Sequence, residues 1–473
     1  MSKLRVPVLG VGLLACAAVG AAQSGGKRDV AQVFAETCAA CHGAKLQGGQ
    51  AASLVDDVWM HGGDDASLAK SIREGRADAG MPAFGSALSE QEIRALVIFI
   101  REKVDEAKRS ATVYAKPSGD TVVKSEEHAF RVETVVEGLE TPWSIAFLPD
   151  GRMLVTENAG RLRIVEKGKL LPEPVVGVPP VWSQGQGGLL DVAVHPDFAK
   201  SGWIYLSFSD PGENGSAMTK VIRGRLREGR LVDQETLFAA PKALYRRGQV
   251  HFGSRFVFDG KGHLFFSIGE RGQKDDAQDL SRPNGKVHRI HDDGRVPADN
   301  PFAQQAGVMP TIWSYGHRNP QGLARDPVTG DLYDAEHGPR GGDELNRVLP
   351  GRNYGWPVIT YGMNYDGSPI TDLTAKAGME QPVVYWVPSI AVCAIDFYAG
   401  DRFPRWQNDL LVSSLAAEEL RRVVLEGGKV TKQEVLFKGI GRVRDVVSGP
   451  DGLVYVVFNG PDRIARLVPA TTP

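Results

Sequence analysis

Five residues near the start of the chain, Cys38-Ala39-Ala40-Cys41-His42, have the types and spacing of a covalent haem attachment box. Both thiols can bond the haem edge, and the adjacent imidazole can ligate iron from one side. A zinc half-site would need a second ligand pair nearby, but the other cysteines are Cys16 and Cys393, both distant in sequence. A thioredoxin-type pair would need a βαβ context, which the flanks do not show. Haem c on Cys38 and Cys41, with His42 on the iron, is therefore expected. Met81, in Met81-Pro82-Ala83-Phe84, is the expected second axial ligand, because a thioether favours reduced iron and Pro82 restricts the backbone around it. Met60 and His61 are its rivals. Haem moves single electrons, so redox chemistry is expected.

A second set of chemically dense segments lies much later. These are Gln184-Gly185-Gln186-Gly187-Gly188, Gln249-Val250-His251-Phe252-Gly253-Ser254-Arg255, and Gly316-His317-Arg318-Asn319-Pro320-Gln321-Gly322. Glu336-His337-Gly338-Pro339-Arg340-Gly341-Gly342-Asp343-Glu344, Asn353-Tyr354-Gly355-Trp356-Pro357 and Arg442-Val443-Arg444-Asp445 follow. Arginines of this kind suit an anionic or carbonyl-rich ligand, and Glu344 with nearby carbonyl oxygens suits a hard cation. A histidine near both could be a general base. Taken singly, each arginine is as well explained as a solvated surface charge, and His251 as a structural histidine.

Different elements must position the two sets. Around the haem box, residues 28–43, 65–76 and 89–106 read as helices, the last opened by a Ser89/Glu92 capping box and carrying Ile93, Leu96, Val97 and Ile100 on one face. This stretch, 27–106, looks like a small all-α class I cytochrome c domain. Ahead of it, Lys3 and Arg5 precede an apolar run and small residues, the pattern of an export signal over 1–22. Leu13-Leu14-Ala15-Cys16 also resembles a lipoprotein box, so ordinary cleavage and a lipid anchor on Cys16 both stay open. The apolar run is too short to span a membrane. Residues 107–127 are polar and read as a linker.

From 128 to 470 short Val/Ile/Phe/Tyr-rich runs recur between Gly, Pro and Asp clusters. A strand–Asp turn–strand unit repeats at Pro149-Asp150-Gly151, Pro196-Asp197, Asp259-Gly260, Asp326-Pro327 and Pro450-Asp451-Gly452, with Ala394-Ile395-Asp396-Phe397 as a weaker member. A spacing of roughly fifty to seventy residues fits blades, so an all-β six-bladed β-propeller is expected, with ligands held by loops over its channel. A net charge of −2 and the lack of a basic patch argue against nucleic acid as a partner. Cys393 reads as a buried thiol.

Several of these segments, in this order, resemble the soluble quinoprotein sugar dehydrogenases, in particular bacterial aldose sugar dehydrogenases. The matching stretches are Gly187-Gly188-Leu189-Leu190, His195-Pro196-Asp197-Phe198, His251 to Arg255, Gly316 to Gly322, Glu336 to Pro339, Gly342 to Asn346, Asn353 to Pro357 and Arg444-Asp445-Val446. The resemblance implies a six-bladed propeller that binds pyrroloquinoline quinone (PQQ) and calcium. It implies His251 as the base that takes the proton of a sugar's anomeric hydroxyl as hydride leaves C1, with Glu270 orienting the ring. Arg318 would contact the cofactor and stabilise charge developing on the quinone oxygen. Gln186, Asn319, Tyr365, Ser414, Leu415, Arg442 and Arg444 are implied cofactor contacts. Gly338 and Pro339 are implied carbonyl ligands of one calcium. Glu344, with Tyr354 through its backbone, is the implied site of a second.

One position departs from the family. Where a lysine commonly follows the segment matching Ser414-Leu415, this chain has Ala416, so a cationic contact is lost unless Arg421 or Arg422 reaches in. The expected function is periplasmic oxidation of an aldose to a lactone, with electrons passing from the quinone to the chain's own haem and on to an external cytochrome or quinone-pool acceptor. Sorbosone or a polyol as substrate, and a calcium-dependent propeller lactonase, are the alternatives.

Overall fold

The computed structural model of the protein describes residues 28–111 and 114–470. The expected export signal and Cys16 lie outside the described residues.

The haem-box region folds as four helices: α1 Val30–Thr37, α2 Ala39–His42, α3 Asp65–Glu74 and α4 Glu90–Ala111. Each long helix starts on a side-chain cap. Asp29 accepts from the Ala31 amide and Asp64 from the Ser67 amide. Ahead of α4 the capping box is reciprocal: the Ser89 amide donates to Glu92 Oε2 at 2.9 Å and the Glu92 amide to Ser89 Oγ at 3.3 Å. Helix α4 departs from expectation twice. It runs on to Ala111 instead of 106, carried by the exposed pairs Lys103–Glu106 and Asp105–Arg109. It also buries more than one stripe: Ala95, Ile98, Phe99 and Val104 are covered as well as Ile93, Leu96, Val97 and Ile100. A helix buried on two sides needs two neighbours. Helices α1 and α3 supply one, and the propeller supplies the other.

The remaining strands form six sheets of four or five antiparallel strands. The strands nearest the channel are Pro142–Phe147, Leu189–Val194, Phe256–Phe258, Pro320–Arg325, Val392–Phe397 and Arg442–Ser448, one at the edge of each sheet. Five of the expected Asp-bearing turns join the first and second strands of a blade. The weaker member does not: Ala394–Phe397 lies inside the innermost strand of the fifth blade. Its Asp396 faces sideways and accepts from the Ser448 amide (2.7 Å) and hydroxyl (2.8 Å) of the next blade. The sixth blade closes the ring, because Ala129–Val136, from before the first blade, pairs with the carboxy-terminal Arg463–Pro469. Val123–Lys124 adds a further strand to that sheet, so the stretch read as a linker is helical at one end and paired at the other.

Every blade is tied to the next by a buried or, at Asp396, half-buried side chain that bonds the neighbour's backbone. Thr156 Oγ1 donates to Leu190 O (2.6 Å), Ser207 Oγ to Ser254 O (2.8 Å), and Ser267 Oγ to Pro320 O (2.9 Å). Asp343 accepts from the Val392 amide (3.1 Å), Asp396 from Ser448, and Asp445 from the Ile145 amide (3.0 Å) across the closure. The innermost strands are splayed too far apart to pair as one sheet, so these side chains satisfy polar groups that burial would otherwise orphan.

Arg255 is the hub. From the third blade its Nη1 donates to Asp191 Oδ1 of the second (3.1 Å), Asp445 Oδ1 of the sixth (3.0 Å) and Ser144 Oγ of the first (3.3 Å), while Nε donates to Gln321 O of the fourth (3.2 Å). The guanidinium lies over Trp143, 4.4 Å from the ring centroid. Burial opposes its charge, but Asp445 and Asp191 outweigh that and hold it above its ordinary range. Replacing Arg255 with Met would leave two buried carboxylates facing each other. Chemical denaturation of Arg255→Met is expected to show a loss of about 3–5 kcal/mol, and a loss below about 1 kcal/mol would refute the hub role.

Candidate active site

The segment between the second and third blades carries His251, and it is held in a conformation that side chains resist. His251 (φ 57°) and Ser254 (φ 96°) both occupy the left-handed region. Two consecutive residues of the third blade secure it. Glu270 Oε1 bonds His251 Nδ1, and Arg271 donates to the Val250 carbonyl and to Gly248 O at 2.9 Å. The preceding Gly269 allows this approach: a Cβ there would meet His251 O at 2.5 Å and Asn319 Oδ1 at 2.8 Å. The His251 amide donates to Gln186 Oε1 at 2.8 Å.

This geometry sets the chemistry of the imidazole. A carboxylate on Nδ1 holds the proton there and leaves Nε2 as the basic nitrogen. Burial, chiefly, with help from Arg318, pushes His251 below the ordinary histidine value, while Glu270 pulls the other way. The ring is thus neutral and ready to accept a proton near neutral pH.

Arg318 stands on the next loop. Its Nη1 donates to His337 O (3.0 Å) and Gly338 O (2.6 Å), and its amide to Glu336 Oε2 (2.6 Å). Arg444 reaches Gln321 Oε1 (3.4 Å), Asn459 Oδ1 (3.1 Å) and the buried Cys393 thiol (3.7 Å). Burial, then the neighbouring Arg444, lowers the Arg442 guanidinium below its ordinary range. Among the described residues, Arg318, Arg442 and Arg444 have no carboxylate partner. Asn319 Oδ1 accepts from the Gly253 amide (3.2 Å), and its buried Nδ2 has no partner. Three unpaired guanidiniums and an orphaned amide donor fit an anionic, carbonyl-rich ligand such as PQQ.

Gly338, Pro339, Glu344 and Tyr354, expected as two calcium sites, line one small cavity with Arg318 and Trp356. Its donor set suits a hard cation. The His337 and Gly338 carbonyls already converge on a guanidinium. The Glu344 carboxyl is pushed well above its usual range by burial and then by Glu336. The Tyr354 hydroxyl is engaged with Arg347 O and the Leu349 amide, so only its backbone could serve a cation. Beneath lies a buried cluster of His317, Asp334 and Glu336 with ligating atoms within 4.8 Å of one another. It has its own cation, since Asp334 and Glu336 overcome burial and lift His317 to about 9.

Other expected residues fall elsewhere. Tyr365 is 74% exposed. Ser414 is buried, with its hydroxyl bonded to the Glu419 backbone, and Leu415 is buried beside it. Neither arginine replaces the missing lysine: Arg421 pairs with Glu419 (2.6 Å), and Arg422 with Asp409 (2.7 Å) and Glu434 (2.9 Å). The site also holds two residues the sequence reading passed over. One is Arg271. The other is His337, whose buried Nε2 has no partner and whose ring is driven far below its ordinary value by burial, Arg318, His251 and Arg444. Its motif, Glu336-His337-Gly338-Pro339, was visible in the sequence.

At the haem box, Cys38 is half-buried, its thiol raised by burial, and Cys41 is exposed. His42 Nδ1 lies 2.9 Å from Ala52 O, which makes Nδ1 the donor and leaves Nε2 for iron. Met81 packs against the same apolar cluster as Cys38, whereas Met60 is 75% exposed.

Comparison with known proteins agrees with this anatomy. The profile of the glucose/sorbosone dehydrogenase family matches residues 139–466, and that of cbb3-type cytochrome c oxidase subunit III matches residues 26–100. Aldose sugar dehydrogenase YliI of Escherichia coli (strain K12) is 46% identical over 332 residues, 69% of this chain and 89% of that protein. The apo-form crystal structure of the soluble aldose sugar dehydrogenase of E. coli superposes with a TM-score of 0.67 at 43% identity, covering 72% of this chain and all (100%) of that one. The PQQ-bound form of the Streptomyces coelicolor aldose sugar dehydrogenase gives 0.58 at 28% identity, covering 75% and 99%. The chain belongs to the glucose/sorbosone dehydrogenase family and carries a cytochrome c domain ahead of the family's six-bladed propeller.

Proposed function

We propose that this protein is a periplasmic, PQQ- and calcium-dependent dehydrogenase that oxidises aldose sugars at C1 to lactones and passes the electrons through its own haem c to an external acceptor. The observation that carries the reading is the His251–Glu270 pair facing Arg318 beside unpaired cationic groups. When bound, the quinone supplies a two-electron acceptor for hydride, and calcium beside it supplies a Lewis acid.

The protein's own residues do the rest. His251 Nε2 takes the proton of the C1 hydroxyl as the C1–H bond breaks, and Glu270 stabilises the resulting imidazolium through Nδ1. Arg318 offers charge to an oxygen that becomes negative. Arg442, Arg444 and Asn319 hold the cofactor's carboxylates and carbonyls. The carbonyls of Gly338 and Pro339 and the Glu344 carboxylate hold cations. Cys38 and Cys41 carry the haem, with His42 and Met81 on its iron.

His251→Ala should cut sugar-driven kcat/KM by about a hundred- to ten-thousand-fold, the range for a general base, with the haem absorbance spectrum unchanged. Persisting substrate-driven haem reduction would refute the assignment. The pH profile tests the pair separately. Neutral His251 is the active form, so activity falls as pH drops through its pKa, which burial sets below the ordinary value. Because Glu270 raises that pKa, Glu270→Gln should move the acid limb of kcat/KM to lower pH while lowering the plateau. For the metal, calcium added to chelator-treated protein should raise the melting temperature, with about 2.7 kcal/mol of stabilisation at a hundred times Kd. Glu344→Gln should remove part of that rise.

A further inference from the structure

Helix α4 of the haem domain and the loop that carries Gly338 and Pro339 pack as one surface. Arg340, the next residue, makes a two-pronged ion pair with Glu102 of α4: Nε to Oε1 at 2.9 Å and Nη2 to Oε2 at 2.7 Å. Arg340 and Met363 exchange backbone hydrogen bonds of 3.0 Å. Met363 is 1% exposed because it is buried in the haem domain's apolar cluster with Phe34 and Phe99, and Val387 of the propeller packs against the same cluster. Cys38 and Met81 border that cluster too. A Cβ on Gly341 would lie 3.3 Å from Ile98 Cγ2, so loop backbone and helix side chain are in contact.

An aromatic pair completes the surface. Tyr361 and Tyr385 stack with ring centroids 3.7 Å apart. Arg94 of α4 lies 5.5 Å from the Tyr361 centroid, and the Tyr385 hydroxyl lies 3.3 Å from Asp65 of α3. Tyr361 is joined in sequence to Thr360, which lines the cation cavity. An apolar centre edged by an ion pair, a cation–ring contact and a hydrogen bond is the anatomy of a specific interface. A domain swinging on a linker would not bury a methionine from its neighbour in its own core.

We propose that this face of the propeller is a dedicated docking surface for the chain's own haem domain, with Arg94 and Glu102 as positioning residues that hold the haem against the cofactor loop so that it is reduced within the same chain. The proposal rests on the function proposed above. Oxidation of one aldose at C1 releases two electrons and two protons. The single haem iron takes one electron, Fe(III) to Fe(II), and passes it to an external one-electron acceptor of the cytochrome class before taking the second.

The test uses the full-length protein loaded with PQQ and calcium and reduced with excess aldose. Stopped-flow absorbance reads the haem, and a small redox dye reads electrons taken directly from the quinone. In the unmodified protein the haem should be reduced at a rate independent of protein concentration. The double variant R94E/E102R should slow haem reduction about ten-fold or more while dye-coupled turnover stays within about two-fold. Without any cofactor, amide hydrogen exchange at Arg340 and Met363 should accelerate in that variant. Adding R340E to E102R should restore haem reduction by exchanging the two charges. If R94E/E102R fails to fold, Glu102→Gln decides, with an expected slowing of about three-fold or more. Haem reduction that is unchanged in the variants, that scales with protein concentration, or that slows without altered exchange would overturn the proposal. Absence of dye-coupled turnover in the unmodified protein would instead count against the proposed function, and the exchange measurement, which needs no cofactor, would still judge the docking.

Discussion

A ring of blades has no continuous hydrogen-bonded sheet to hold it, and this protein solves that with one buried cation. Arg255 touches four other blades through Asp191, Asp445, Ser144 and the Gln321 carbonyl. Blade-to-blade bonds from Thr156, Ser207, Ser267, Asp343 and Asp396 continue the same principle around the channel. The energetic logic is that of a desolvated network: fully satisfied it defines one arrangement, and missing one member it leaves uncompensated charge. Arg255 is four residues from His251 on the same strained segment, so closure of the ring and placement of the base share one stretch of chain.

The same bookkeeping of charge separates scaffold from site. In the scaffold the main buried charges have counter-charges: Arg255 with two aspartates, His317 with Asp334 and Glu336, Arg422 with Asp409 and Glu434, while Lys286 is held by three carbonyls. In the site the pairing stops. Arg318 lies beside a neutral His251 and, with Arg444, beside a neutral His337, while Glu344 is crowded by Glu336. A positive hollow beside a negative one is costly in an empty protein. An anion would relieve the repulsion in the first and a cation that in the second.

How far the sequence could be read follows from the range of the interactions involved. The haem box, the Ser89/Glu92 cap and the Asp-bearing turns are local, and local chemistry leaves a local pattern. So is the His251 segment, whose glycine and polar spacing mark a loop built for a side chain. What was missed is non-local. Asp396 looked like a turn residue and is a latch, because its partner Ser448 is a blade away. Arg422 looked free to replace a lysine and is held by Asp409 and Glu434 across its own sheet, while Arg421 is held by Glu419 two residues before it. The loop of Tyr365 meets the haem domain, where a Cβ on Gly367 would sit 2.4 Å from Asp29, a contact that no local pattern announces. Arg271 left no pattern at all, since a buried arginine bonded to carbonyls resembles any other arginine in sequence.

Helix α4 shows why the fusion is more than two domains on one chain. Its apolar residues exceed what a small haem domain needs, and the excess is matched by Met363 and Val387 on the propeller. Separated, the helix would expose Ile98, and the propeller a methionine and a valine beside two stacked tyrosines, the kind of patch that marks an interaction surface. One ion pair at the edge then selects orientation, since Glu102 meets Arg340 in a two-pronged geometry that a rotated haem domain could not reproduce. The loop gripped in this way is the one whose carbonyls face Arg318. The residues that keep the haem domain from rolling therefore also brace the wall of the cavity lined by Gly338 and Pro339.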